Sequence, residues 1–326
     1  MRSFKEKKMF FLKFRLMMLV AMLFGIIYAV IVMIGAYLGI RNFMVYLFAA
    51  VGVMFIQYLI GPKMVEWTMK VKYVARKDYP QLFEMVESLS LRAGIPMPRI
   101  GISQIALPNA FAFGRGYQDG RVCVTQGLLE LLNDQELKAV LGHELSHLKS
   151  RDVLTISLLS VIPMVLYWIY LRFSFAGGRR QRGDNTMLIG LAAFIFYLIT
   201  NLLVLYGSRI REYFADRGSL SLGNSPASLA SALYKLVYGA ARIDKESIKE
   251  VEGLKAFFAS DPSQALSEIR ELKALDRDRS GSIEPSELDA LRKKTIKTSF
   301  GEKLMELYST HPNMLKRIRQ LSRYQS

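Results

Sequence analysis

Cysteine is nearly missing from this sequence: Cys123 is the only one among 326 residues. A single cysteine excludes an intramolecular disulfide and agrees with a reducing compartment. Histidine is scarce as well, at three residues, and acidic residues are outnumbered 28 to 44 by lysine and arginine, for a formal charge of +16. Such basicity raises nucleic-acid binding as an explanation, but no recognised nucleic-acid motif accompanies it, so nucleic acid is not expected as a partner. Internal repeats and low-complexity tracts are also lacking.

What the sequence has in abundance is apolar residues, 51% of the chain, unevenly distributed. Residues 16–40 contain no charge and are long enough to cross a hydrocarbon core of ~30 Å at ~1.5 Å per helical residue. Further runs cover 43–60, polar only at Gln57, then 153–171 and 187–206. Any one run can be a buried core helix. Four together, flanked by Arg, Lys or turn residues, point to an integral membrane protein. Arg2, Lys5, Lys7, Lys8, Lys13 and Arg15 precede the first run, which predicts a cytoplasmic N-terminus near anionic headgroups. The first run is too long for a signal-peptide core and a second follows at once, so it reads as a retained anchor.

The expected organisation is a basic cytoplasmic segment 1–15, a transmembrane hairpin 16–60, a hydrophilic segment 61–152, a second hairpin 153–206 and a second hydrophilic segment 207–326. Residues 81–93 have helical composition, ended by Pro96 and Pro98. Strand-like composition at 109–114 and 121–125, around a Gly-rich 116–120, suggests a β-hairpin. Asn133 and Asp134 can cap a helix starting near Gln135, with Glu136 in its first turn. That helix runs through Leu137, Val140, Leu141, His143, Glu144 and His147. From Ser208 the chain is again hydrophilic and predominantly helical.

His143 and His147 are four residues apart, so on a helix both imidazoles share one face and can grip one ion. Glu144 lies one residue round from the first, placed to take a proton from an attacking water without ligating the ion. The uncharged Leu145 and Ser146 between them suit a helix. The bland alternative is two histidines and a glutamate on an exposed helix face. A catalytic zinc needs a third protein ligand. In Arg211-Glu212-Tyr213-Phe214-Ala215-Asp216-Arg217, Glu212 and Asp216 are again four apart; Glu212 can ligate, and Asp216 can orient a histidine through its free N–H. The same spacing also suits solvated acids on an amphipathic helix.

The combination resembles the HtpX-like family of membrane zinc proteases, which includes the prenyl-protein-processing proteases of eukaryotic membranes. The matching pieces are Asn109-Ala110-Phe111-Ala112-Phe113-Gly114, His143 to His147, Arg211 to Asp216, and Ser309-Thr310-His311-Pro312, in the family's order. The resemblance implies that Glu212 is the third zinc ligand and Asp216 the orienter. It implies that Asn109, Ala110, Phe111 and Ala112 form an edge to which an extended polypeptide adds. It implies too that His311 helps stabilise the oxyanion, although a histidine before Pro312 can equally serve to start a helix. All three histidines of the chain fall within these motifs, leaving no competing ligand. The fold class expected is a mainly α integral membrane protein, with about four transmembrane helices and a zincin-like α+β catalytic domain carrying a small β-hairpin edge.

Two spans lie between the histidines and Glu212, so both return to one side, the cytoplasmic one if the N-terminus is cytoplasmic. Arg172, Arg179, Arg180 and Arg182 at the tip of the second hairpin then face outward, against the positive-inside bias. Either the N-terminal charges dominate or the second hairpin does not cross fully.

Residues 276–287, within an insertion at about 262–295, match a twelve-residue EF-hand loop. Asp276, Asp278 and Ser280 hold positions 1, 3 and 5, Ser282 offers a carbonyl at 7, Glu284 sits at 9 and Glu287 at 12, with Gly281 at the turn. The match predicts calcium binding, with an acidic turn between helices as the alternative. Arg277 and Arg279 dilute its field, and the loop is single. The function expected is zinc-dependent hydrolysis of membrane or misfolded proteins at the cytoplasmic face of the cell membrane, modulated by calcium. The alternatives are a dedicated processing protease for a lipidated or membrane substrate, and a calcium-responsive membrane scaffold.

Overall fold

The computed structural model describes residues 59–152, 162–163, 166–167, 169–171, 185–241, 272, 275–276, 278, 280–293 and 306–325. The expected hairpin at 16–60 up to residue 58, twelve of the nineteen residues of the run at 153–171 and the arginine-bearing tip at 172–184 lie outside them. The chain divides into two compact units, Met1–Leu59 with Thr155–Ile210, and Ile60–Leu154 with Arg211–Ser326. All residues of the expected metal sites belong to the second.

In that unit a four-stranded sheet has the order β1-β2-β4-β3, with β1 Val71–Tyr73, β2 Arg99–Ser103, β3 Ala110–Phe113 and β4 Arg121–Thr125. The hairpin expected from composition is present as the antiparallel β3–β4 pair, Ala110 opposite Val124 and Ala112 opposite Val122. It is not the whole sheet, however: β2 runs parallel to β4, and β1 antiparallel to β2. Side chains alternate across a strand, and the two faces accordingly feed two cores. Ile100, Ile102, Ala110, Val122 and Val124 pack into the main core, while Phe111, Phe113 and Cys123 join Met69 and Leu107 in a smaller one. β4 is buried at all five positions.

Helix α1, Pro80–Ala93, starts on a proline that lacks only an N–H the first turn would leave unbonded. It buries Leu82, Val86, Leu89 and Ala93, spaced by turns on one face. After a short α2, Gln126–Leu131, comes α3, Asp134–Lys149. Asn133 and Glu136 close a reciprocal capping box at its start, a device worth about 1 kcal/mol. From Glu136 onward α3 is almost wholly buried, packed against α1, β3 and α5.

Helix α4 covers Asn185–Ser221. The apolar run was expected to stop at Tyr206, but the helix continues unbroken, so the 211–217 motif lies on the same helix. Its stretch Leu188–Ser221 is, among the described residues, the one helix long and apolar enough to cross a membrane. Helices α5, Pro226–Ala241, α6, Pro285–Lys293, and α7, Met314–Ser322, complete the second unit, with α7 packed on both α5 and α6.

Candidate metal centre

α3 presents His143 and His147 one turn apart, ring planes at 85°, and their Nε2 atoms converge to 3.1 Å. From α4, Glu212 brings Oε2 to 3.5 Å from Nε2 of His143 and Oε1 to 3.4 Å from Nε2 of His147. All three side chains are buried. Tetrahedral ligands at the ~2.0–2.1 Å bond lengths of zinc stand roughly 3.3–3.4 Å from one another. The 3.1 Å between the imidazoles and the 3.4–3.5 Å from each to a different oxygen of Glu212 lie near that spacing, so the donor set fits one zinc-sized ion.

The far side of each imidazole meets a carboxylate. Nδ1 of His143 lies 2.9 Å from Oδ1 of Asp216, and Nδ1 of His147 lies 2.7 Å from Oδ2 of Asp152. A proton held on Nδ1 by the carboxylate leaves the Nε2 lone pair for an ion. Arg317, fully buried, ties the arrangement together. Its Nε and Nη2 bind the two oxygens of Asp216 at 3.0 and 2.6 Å, and Nη1 stands 2.9 Å from Oε2 of Glu212. Arg211 reaches the second oxygen of Asp152 at 3.2 Å. His311 Nδ1 is 3.3 Å from Oε2 of Glu212, and neither ring nitrogen makes a hydrogen bond among the described residues.

Burial by itself disfavours a charged imidazole, but carboxylate partners outweigh it here. His147 is raised to about 10 by Asp152 and Glu212, and His143 is raised by Asp216 and Glu212. Burial pushes the Glu144 carboxyl above its ordinary range, with both neighbouring histidines pulling the other way. Asp152 resists its own burial and is held low by His147 and Arg211.

Two glycines let α3 and α4 approach closely enough for this. A Cβ on Gly218 would stand 2.5 Å from Cβ of Ser146, and one on Gly142 would stand 2.9 Å from Oγ of Ser219. Ser219 donates a hydrogen bond to the Ala139 carbonyl at 2.6 Å, fixing the register of the contact.

The other expected residues are placed as follows. Asn109, Ala110, Phe111 and Ala112 lie in or beside β3, the terminal strand of the sheet, against which α3 packs. Asn109 is held by Thr125, whose hydroxyl accepts from its N–H at 2.8 Å. In the second loop, Asp276, Asp278 and Glu287 bring one carboxylate oxygen each within 4.8 Å of one another. Ser280 donates its N–H to both aspartates, its hydroxyl lies 3.4 Å from the Ser282 carbonyl, and Gly281 takes φ +79°. Glu284 is exposed, with its N–H donated to Glu287. The loop is also wired to α3. The N–H of Ile283 meets the Ser231 hydroxyl at 3.3 Å, and that hydroxyl donates at 2.6 Å to Glu136, the capping residue of α3.

Sequence reasoning missed Asp152 and Arg317 and assigned Arg211 no role. For Arg317 a signal existed: Met314, Ile318 and Leu321 form the buried face of α7, and Arg317 is a charge on that face. Asp152 had none beyond its closeness to His147.

The model of peptidase family M48 matches residues 76–325. A protease HtpX homolog of Methanothermobacter thermautotrophicus is 50% identical over 226 residues, covering 69% of this chain and 86% of that one. One from Moorella thermoacetica is 36% identical over 274 residues, 82% of this chain and 80% of its own. Among solved structures, the crystal structure of S. mikatae Ste24p aligns with a TM-score of 0.47 at 17% identity, over 91% of this chain. This chain spans 62% of that longer one.

Proposed function

Because this chain belongs to peptidase family M48, we propose that it is a multi-pass zinc endopeptidase cleaving membrane or misfolded proteins at the cytoplasmic face. Membership itself makes it a membrane-associated metalloendopeptidase acting on polypeptides. The finer reading has His143, His147 and Glu212 as zinc ligands, Glu144 as general base, and about four spans. The observation that carries it is the 3.1–3.5 Å convergence of two imidazoles and one carboxylate beside the buried Glu144.

Zinc, when bound, supplies a Lewis acid that polarises the scissile carbonyl and acidifies water. Glu144 takes a proton from the attacking water as the new C–O bond forms, and returns it to the amine nitrogen as the C–N bond breaks. A carboxyl raised by burial suits both halves of that exchange. Asp216, clamped by Arg317, holds the His143 ring. His311, next to Glu212, is placed to donate to the carbonyl oxygen as charge develops there. β3 offers Asn109 to Ala112 as a rail for an extended substrate, since no strand among the described residues pairs along its other side.

Calcium at 276–287 is proposed as a second cofactor, supported by the three converging carboxylates and by the Ile283–Ser231–Glu136 path to the start of α3. The alternative of a dedicated processing protease predicts one preferred lipidated or membrane substrate in a proteome-wide cleavage comparison. A calcium-responsive scaffold predicts no cleavage at all.

The protease reading is tested against the scaffold by casein cleavage by the full chain in detergent, with chelation, zinc add-back, and calcium present or absent. Glu144→Gln should keep zinc and lower turnover by at least about 10²–10⁴-fold; normal cleavage by that variant would refute the assignment of the base. Calorimetry showing no heat with calcium would remove the second cofactor.

A further inference from the structure

α3 ends at Lys149 with Ser150 as its cap. The next residue, Arg151, takes φ +54°, a left-handed conformation that costs a side-chain-bearing residue of order 1 kcal/mol. That turn sends the chain back toward the helix it has just left, and Asp152 reaches Nδ1 of His147 at 2.7 Å. Its other oxygen stands 3.2 Å from Nε of Arg211, an ion pair without hydrogen-bond alignment. The position of this pair in the chain is what gives it meaning. The second compact unit leaves off after Leu154 and resumes at Arg211. Asp152 stands at the exit and Arg211 at the return.

We propose that Asp152 is a positioning residue for His147 and that Arg211 latches it, so the grip on this imidazole depends on the closing of the neck of the 155–210 insertion. The proposal rests on His147 being a metal ligand. A carboxylate on Nδ1 fixes the tautomer that leaves Nε2 unprotonated, stops the ring rotating about its Cβ–Cγ bond, and makes Nε2 a stronger donor. An aspartate free to swing would do this poorly. Arg211, itself buried, holds it by its second oxygen. The ion pair thus has two duties, joining the ends of the insertion and aiming a ligand. A mere staple at the neck would have only the first.

The test uses the full chain in detergent, with zinc affinity read by chelator competition and the visible spectrum of the cobalt-loaded protein read as the ligand-field signature. Asp152→Asn retains size and an acceptor and removes the charge. It should weaken zinc about 10- to 100-fold and shift the cobalt bands. Arg211→Met should act in the same direction, Arg211→Lys should recover part of the loss, and the double variant should lose little more than Asp152→Asn alone. Wild-type zinc affinity and an unchanged cobalt spectrum in Asp152→Asn, with only a lowered melting temperature, would overturn the positioning role. Fully additive losses would overturn the latch. If His147→Ala binds zinc as the wild type does, the ligand assignment beneath the proposal is what has failed.

Discussion

Arg317 is the residue on which most of the centre depends, since its one guanidinium faces Asp216 on two atoms and Glu212 on a third. Removing one partner of a buried ion pair strands the other, at about 3–5 kcal/mol. Arg317→Met should therefore lower the unfolding free energy by that order and deplete zinc, measured by chemical denaturation and metal analysis. Arg317→Lys should not rescue it, because a point charge cannot reproduce the two-atom grip on Asp216. The histidines could be found from sequence because helical spacing is local: i and i+4 share a face whatever the fold. Arg317 and Asp216 are 101 positions apart, and no local rule joins them. Asp152 depends on a left-handed turn at Arg151 that its side chain does not announce.

Elements tell a similar story, with local devices legible and distant pairings not. Asn133 and Glu136 announced the start of α3 because a capping box is written within four residues. The β3–β4 hairpin was legible from composition around its glycines, whereas the three-residue β1 and the five-residue β2 offer too few positions for a period of two to show. The α3–α4 contact was silent too, since nothing local sets Gly142 or Gly218 apart from any other helical glycine. Alanine favours an isolated helix over glycine by about 1 kcal/mol. Gly218→Ala should nevertheless destabilise, by about 1–3 kcal/mol, because its methyl would overlap Ser146 between the two histidines. Zinc content and the denaturation midpoint should fall together, and a stabilised, zinc-replete Gly218→Ala protein would show that the helices need not approach so closely.

At the scale of the molecule, pH acts on stability through groups whose ionisation differs between folded and unfolded chains. Cys123 sits in the smaller core, where burial pushes its thiol up to about 12. Unfolded, it ionises near ~8.5. Above that value the unfolded chain sheds a proton the folded one keeps, so the contribution is complete below ~8.5 and is lost as pH rises toward about 12. Urea midpoints of the wild type should decline more steeply with rising pH than those of Cys123→Ala, and parallel slopes would count against it. The metal centre has an electrical consequence of its own. Four carboxylates, Glu144, Asp152, Glu212 and Asp216, share one buried region with two guanidiniums, Arg211 and Arg317. With neutral imidazoles the enclosure is short by two positive charges, the valence of a single dication. A monovalent ion leaves a deficit and a trivalent one an excess, and uncompensated charge is costly in a dry interior. A dication seated between neutral imidazoles therefore takes over the balancing charge that protons on His143 and His147 supply in its absence, so its binding should release protons.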